Sequence, residues 1–279
     1  MLALTGTVLG VAAAGMPSGR SAVTGPARPG RPGAVGSRQG VTSDQASHAR
    51  PIRAGAGTTG TAGTTGTAGA SGSELRTSCR NVAHIGDSTS ADLISAAILP
   101  DAGQRLAARY RDVGVRHVRI DASGGRSIVE ELPGQRNGYT VASGWASRGY
   151  RGCWVFALGT NDAANVAAGS ATGLTARIDR MMAVAHGQPV LWVNTRTELS
   201  AGPWSEANER AWDAALGRAL ARYPNMRIFN WASVVKPGWF LSDGIHYNTV
   251  GCAARSRAIA GALARAFPAG GRSKGKVVL

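Results

Sequence analysis

His84-Ile85-Gly86-Asp87-Ser88-Thr89-Ser90 is the stretch that decides how this chain folds. Val82, Ala83 and Ile85 make a short apolar run that reads as a buried strand, and Gly86-Asp87-Ser88 ends it abruptly. Ser90 or Asp92 then caps a helix carrying Leu93, Ile94 and Ile98. A serine on a strand-to-helix turn sits at the carboxyl edge of a parallel sheet, beside a helix N-terminus. Ligands of open α/β sheets bind at that edge, and a helix end there favours developing negative charge. Alone, Gly-Asp-Ser also fits a plain helix cap. The ends of the other expected strands decide between the two.

Residues Gln104 to Val113 form an amphipathic stretch, and Val115 to Ile120 alternates as a strand does before the Gly-rich loop Asp121-Ala122-Ser123-Gly124-Gly125-Arg126-Ser127. That loop lacks the spacing of a dinucleotide or phosphate-binding fingerprint. Ile128 to Tyr150 is read as partly helical. Cys153 to Leu158 is apolar throughout, as in a strand buried on both faces, and runs into Gly159-Thr160-Asn161-Asp162. A helix is expected over Leu174 to Ala185, a strand over Val190 to Val193, and a long helix over Trp204 to Tyr223. A fifth strand over Met226 to Trp231 and a last helix over Val250 to Ala266 follow. Five strands alternating with helices, without internal repeat, argue for a doubly wound α/β sandwich with a mostly parallel sheet.

Composition bounds the rest of the 279 residues. Met1 through Ala14 is apolar and is followed by small residues, which reads as a signal or export segment over 1–24. Residues 25–76 are rich in Gly, Thr, Ala and Pro, too poor in large apolar groups to fold, and are expected to be a disordered linker or a glycosylated stalk. The foldable domain spans 77–267, and 268–279 reads as a basic flexible tail. The net charge of +15 comes mostly from scattered arginines, without an aromatic-interleaved basic run or a nucleic-acid motif. No nucleic-acid partner is expected; weak, salt-sensitive attraction to an anionic cell envelope is. Cys79 and Cys153 each open a strand and so face each other at the amino edge of the sheet. One disulfide between them, with Cys252 free, is expected, and no Cys-x-x-Cys spacing points to zinc.

The residues at the strand ends match the needs of acyl transfer. Ser88 follows the first strand, Gly125 the second, Asn161 the third, and Asp243 with His246 the fifth. A serine hydroxyl needs a base to take its proton, and His246 suits that task. Asp243, three residues earlier, is placed to hold the other imidazole nitrogen. A tetrahedral oxyanion needs fixed donors, for which the Ser88 and Gly125 amides and the Asn161 side chain are candidates. Singly, each has a plain reading as a turn or loop residue; together, in order at four strand ends, they form a catalytic set. Trp239 and Phe240 fit either the wall of an acyl or glycan pocket or a cover for the sheet edge. His84 lies inside the first strand and reads as a packed residue.

These positions carry a resemblance to the SGNH hydrolase family, also called the GDSL-type esterases, in its exported, actinobacterial-type members. Gly86-Asp87-Ser88 is similar to the family's first block, Gly125 (with Gly124 as rival) to its second, Gly159-Thr160-Asn161-Asp162 to its third, and Asp243-Gly244-Ile245-His246 to its last. Thr89 departs from it, since many members carry Leu or Ile there. The resemblance covers about Asn81 to Ala266. It implies a three-layer α/β/α sandwich of flavodoxin-like winding, no cofactor and no metal, and a Ser88–His246–Asp243 enzyme of esterase, lipase, deacetylase or acyltransferase type. The expectation is a secreted or envelope-associated monomer that hydrolyses a short acyl ester on a small molecule or glycan. The competing readings are O-acyl transfer to an envelope glycan, a metal-dependent phosphoesterase using Asp87, Asp162, Asp243 and His246, and a noncatalytic glycan-binding module.

Overall fold

A computed structural model describes residues 75–279 apart from 272 and 274. The expected export segment and nearly all of the linker lie outside the described residues. The sheet has six parallel strands: β1 Asn81–Gly86, β2 His117–Ala122, β3 Cys153–Ala157, β4 Val190–Val193, β5 Met226–Phe229 and β6 Val277–Val278. Their spatial order is β2-β1-β3-β4-β5-β6. The chain therefore runs from β1 to β2 on one side and then crosses back over β1 to β3 on the other. A crevice opens at the carboxyl ends where that order reverses.

Period-two alternation sends each strand's side chains to two cores. Val82, Val155, Leu191, Val193 and Phe229 face helices α2 (Leu106–Asp112) and α7 (Thr249–Ala266). Ala83, Ile85, Trp154, Phe156, Trp192 and Ile228 face α3 (Gly138–Ser147), α5 (Leu174–Ala185) and α6 (Glu206–Arg222). A chain of rings, Trp154 to Phe156 to Trp192 to Trp212, runs across the second core at centroid spacings of 5.8, 5.1 and 5.9 Å. Each such pair contributes about 1 kcal/mol beyond its burial.

Three expectations need correction. The sixth strand comes from the tail that was expected to be loose. Ile228 N donates to Lys276 O at 2.9 Å and Asn230 N to Val278 O at 2.9 Å, closing the β5 edge. Two residues carry no periodicity, so nothing local announces them. The helix after the first strand is a single turn, α1 (Ser88–Ala91), followed by a 3-10 turn at Asp92–Ile94; Asp87, not Ser90 or Asp92, caps it. The Gly159-Thr160-Asn161-Asp162 segment opens a further helix, α4 (Thr160–Ala167), which the expected set of helices does not include.

Cys79 and Cys153 form a disulfide with Cα atoms 5.7 Å apart, and Cys252 is free and buried. Burial pushes the Cys252 thiol up to about 12, so it stays protonated and donates to Tyr247 O at 3.3 Å. The disulfide joins β1 to β3 at the edge opposite the crevice and closes a loop of 74 residues. Chain-entropy arguments assign such a loop about 4 kcal/mol. Urea denaturation with and without reductant, or of C79A/C153A, is expected to show a loss of about 2–5 kcal/mol; unchanged midpoints would contradict the cross-link.

Candidate active site

The first component is the turn that ends β1. Asp87 is buried; its Oδ1 accepts from Thr89 N at 2.9 Å and from the Thr89 hydroxyl at 2.7 Å. Its carbonyl accepts from Ser90 N and Ala91 N, and its own amide donates to Ala157 O of β3 at 3.3 Å. Ser88 follows directly on this fastened residue. Thr89 also accepts from the buried Arg255 at 3.3 Å, whose guanidinium lies over Trp231 and Tyr247. A Leu or Ile at 89 keeps the amide bond to Asp87 but loses both hydroxyl bonds. Burial pushes the Asp87 carboxyl up, while the Thr89 bonds and the Arg255 charge oppose it.

His246 reaches this turn from the loop before α7. Its Nε2 lies 2.8 Å from Ser88 Oγ, and its Nδ1 lies 2.6 Å from Asp243 Oδ2. The other Asp243 oxygen accepts from the amides of Ile245 and His246, each at 2.9 Å. Partial burial works against ionising Asp243, but the imidazole and the two amides outweigh it and hold its carboxyl below the usual range. An ionised acceptor on Nδ1 requires Nδ1–H, which leaves the Nε2 lone pair for the Ser88 proton. Such a line can transfer that proton to the imidazole as Oγ attacks an electrophile. Trp239 and Phe240 pack beneath the same loop. Trp239 stacks on Trp231 at 5.9 Å and 17°, Phe240 lies 5.0 Å from Tyr247, and Asn248 N donates to Trp239 O.

The donor side lies across the crevice. Gly125 takes φ +67°, and a side chain there would meet Leu132 at 2.7 Å, so the turn suits glycine. Arg126 pins the loop by donating to Asp121 O and Asp121 Oδ1, both at 2.7 Å. Among the described residues the amides of Ser88, Gly124 and Gly125 have no hydrogen-bond partner. Asn161 stands in the first turn of α4; its Nδ2 donates to Arg126 O at 3.1 Å, and its Oδ1 accepts from Trp204 Nε1 at 3.2 Å. The indole fixes which end of the amide is oxygen, leaving the second Nδ2–H available. Ahead of α4, Gly159 has φ +146°, and a side chain there would fall 2.1 Å from Trp212 Nε1.

Several supporting residues escaped the sequence reading. Arg177, fully buried, donates to Asp162 Oδ1 at 2.8 Å and also pairs with Glu130. Asp162 Oδ1 accepts from Ile128 N at 2.9 Å as well, so one carboxylate ties the Arg126 loop to α4. Burial raises Asp162; in Glu130 burial is outweighed by bonds from Arg177, Ser170 and Ser127, which hold its carboxyl well below the usual range. Arg177 shares the buried stripe of α5 with Met181 and Ala185, and a charge on such a stripe is the available signal for a buried partner. Trp204, on an exposed loop, gave none. His84 is buried between Tyr110 and Ser90, at 2.9 and 3.0 Å, and burial pushes it down to about 3, so it is a neutral packed residue. Among the described residues no group of three or more His, Cys, Asp or Glu is arranged to hold a metal ion.

Glu209 of α6 is also on a buried stripe, with Trp212, Leu216 and Ala219. Neither of its carboxyl oxygens has a hydrogen-bond partner among the described residues. Asp213, one turn on, accepts from Asn194 Nδ2 at 2.9 Å and Thr195 N at 3.1 Å. Burial, aided by the charges of Asp213, Asp87 and Asp162, raises Glu209 to about 9, while the Thr195 hydroxyl donates to Asp213 Oδ1 at 3.3 Å.

No protein-family model matches the chain, and no curated protein matches it in sequence. Solved structures do match. A carbohydrate acetylesterase family member from Sinorhizobium meliloti aligns over 64% of this chain and 95% of its own, at 16% identity and a TM-score of 0.50. A lipase/acylhydrolase from Enterococcus faecalis aligns over 69% and 99%, at 15% identity and 0.47. The C-terminal catalytic domain of a Streptococcus pneumoniae peptidoglycan O-acetyltransferase aligns over 65% and 89%, at 15% identity and 0.46. The first likeness shows that the α/β fold is shared.

The Glu209 carboxyl ionises near 4.5 when unfolded and near 9 when folded. The folded chain therefore holds a proton that the unfolded chain releases between those values. Stability from the neutral group is full below the lower value and falls as pH rises towards the upper one. E209Q removes this slope. Its stability relative to the parent is expected to grow between pH 5 and pH 8, by on the order of a few kcal/mol in paired urea titrations. A difference independent of pH would show that Glu209 ionises normally.

Proposed function

We propose that this chain is an exported serine esterase of the SGNH type, acting through an acyl-enzyme on a short acyl ester. The carrying observation is the unbroken line Ser88 Oγ, His246 Nε2, His246 Nδ1, Asp243 Oδ2, with bonds of 2.8 and 2.6 Å. Ser88 Oγ attacks the ester carbonyl while Nε2 takes its proton. The imidazolium, stabilised by Asp243, then protonates the leaving alkoxide as the carbon–oxygen bond breaks. Water adds to the acyl-enzyme by the same route in reverse, releasing the acid and restoring Ser88. The unpartnered amides of Ser88 and Gly125 and the second Nδ2–H of Asn161 receive the oxyanion, fixed beforehand by Arg126 and Trp204.

The side chains of His246 and Asp243 keep 33% and 46% of their exposure. An open site of this kind suits an acyl group carried on a glycan as well as a small ester. It also admits a sugar hydroxyl in place of water, which would make the chain an O-acyltransferase with the same residues. Export is supported by the apolar stretch Met1–Ala14 and by a structural disulfide, which persists in oxidising compartments.

A fluorophosphonate is expected to label the protein, and p-nitrophenyl acetate to be turned over; both should vanish in S88A, with a loss in kcat on the order of 10⁴-fold or more. N161A is expected to lower kcat by about 10²–10³. Strong chelation should leave the rate unchanged; loss of activity on chelation would favour the metal-dependent reading. A folded parent that neither labels nor turns over ester would move the glycan-binding reading to the front. Product partition in the presence of a glycan acceptor separates hydrolysis from transfer.

A further inference from the structure

We infer that the chain carries a second binding surface, for a phosphodiester polyanion without bases, at the sheet edge opposite Ser88. Arg111 at the end of α2, Arg116, His117 and Arg119 at the start of the edge strand β2, and Arg148 and Arg151 from the turn before β3 line one concavity of about 550 Å³. All six side chains are exposed. Among the described residues none of the five guanidiniums pairs with a carboxylate. The nearest acid in sequence, Asp112, is taken by Arg109 at 3.2 Å. Five like charges gathered without counter-charge repel one another and destabilise the bare fold, and an anionic ligand removes that repulsion.

Two of the guanidiniums are held in place. Arg119 lies over the Tyr150 ring at 6.0 Å, and Arg151 donates to Tyr150 O at 2.9 Å. The remaining guanidiniums are exposed, each a planar fork that matches phosphate oxygens, and the surface uses arginine to the exclusion of lysine. Nucleic acid is disfavoured because single strands are held by stacking bases on exposed aromatic rings. Of the two rings here, Tyr150 is buried at 8% exposure and covered by Arg119, which leaves the single imidazole of His117 and no row of rings for successive bases. The concavity opens at the amino ends of β1 and β2, whereas Ser88 follows the carboxyl end of β1. Six residues of strand separate them by about 20 Å, so the surface holds a polymer without contacting the reacting ester.

The test is equilibrium binding of poly(glycerol phosphate) to the full chain, with polyglutamate and oligo(dT) as comparators. The parent is expected to bind poly(glycerol phosphate) and to weaken roughly 50-fold between 50 and 200 mM salt, as release of counterions from about four phosphates requires. R116Q/R119Q/R148Q/R151Q is expected to lose about tenfold or more in affinity while p-nitrophenyl acetate turnover is unchanged. R180Q/R210Q/R218Q/R257Q, which removes the same charge elsewhere, should keep the affinity. Equal losses in both quadruple variants would reduce the surface to net charge and overturn the proposal. So would absent binding at 50 mM salt, or polyglutamate or oligo(dT) binding as tightly. Because the two surfaces are separate, failure of ester turnover leaves this result intact, and the reverse.

Discussion

The buried carboxylate of Asp87 receives two hydrogen bonds from Thr89 and sends its own amide to β3. A buried carboxyl is costly without hydrogen bonds, and the two on Oδ1 together with the amide bond to β3 tie Asp87 to this backbone path from β1 into α1. That path sets where Ser88 stands. Thr89 also carries the arrangement inward to Arg255, whose charge rests on two aromatic rings in the first core. The position of one hydroxyl thus depends on α7, which packs on β4, β5 and β6 and whose preceding loop delivers His246. Ser88 and His246 are thus referenced to the same helix.

The donor side is built on the same economy of buried charge. Arg177 sits between Glu130 and Asp162 and makes a single body of α5, the start of α4 and the loop after β2. Removing Arg177 would strand the buried Asp162 carboxyl, which costs several kcal/mol where a matched apolar replacement of the whole group would not. Glu209 solves the opposite problem: lacking a cation, it stays neutral. Two buried acids a few residues from the crevice therefore differ in charge because one has an arginine and the other has none.

Reading the sequence recovered what is local or chemically distinctive. Leu174–Ala185 and Val190–Val193 have the bounds their apolar patterns suggest, because each buries one repeating face. Ser88 stood out as a polar group just beyond an apolar strand, Asp243 and His246 as a carboxylate and an imidazole three residues apart on one loop, and the structure sets His246 within hydrogen-bonding reach of both others. What stayed hidden depends on partners distant in sequence. Val277–Val278 is a strand only because β5 offers an open edge. Asp87 is a cap because β3 and Thr89 hold it, although Ser90 and Asp92 are equally good capping residues by type. Trp204 touches Asn161 across 43 positions, and no pattern near either residue marks the contact.

The Cys79–Cys153 bond makes a covalent ring of the chain between them. That ring contains Ser88, Gly125 and the exposed hairpin around Leu132 and Gln135, but not Asn161 or His246. A protease that cut the hairpin would linearise the ring without releasing a fragment. Both segments would remain tethered to the sheet through β1 and β3, the two strands that flank the crevice. A nicked molecule would thus run intact until reduced, and its two cut ends would part only as far as the surrounding loop allows. An exposed loop thus lies inside the one circuit where a break need not be a loss.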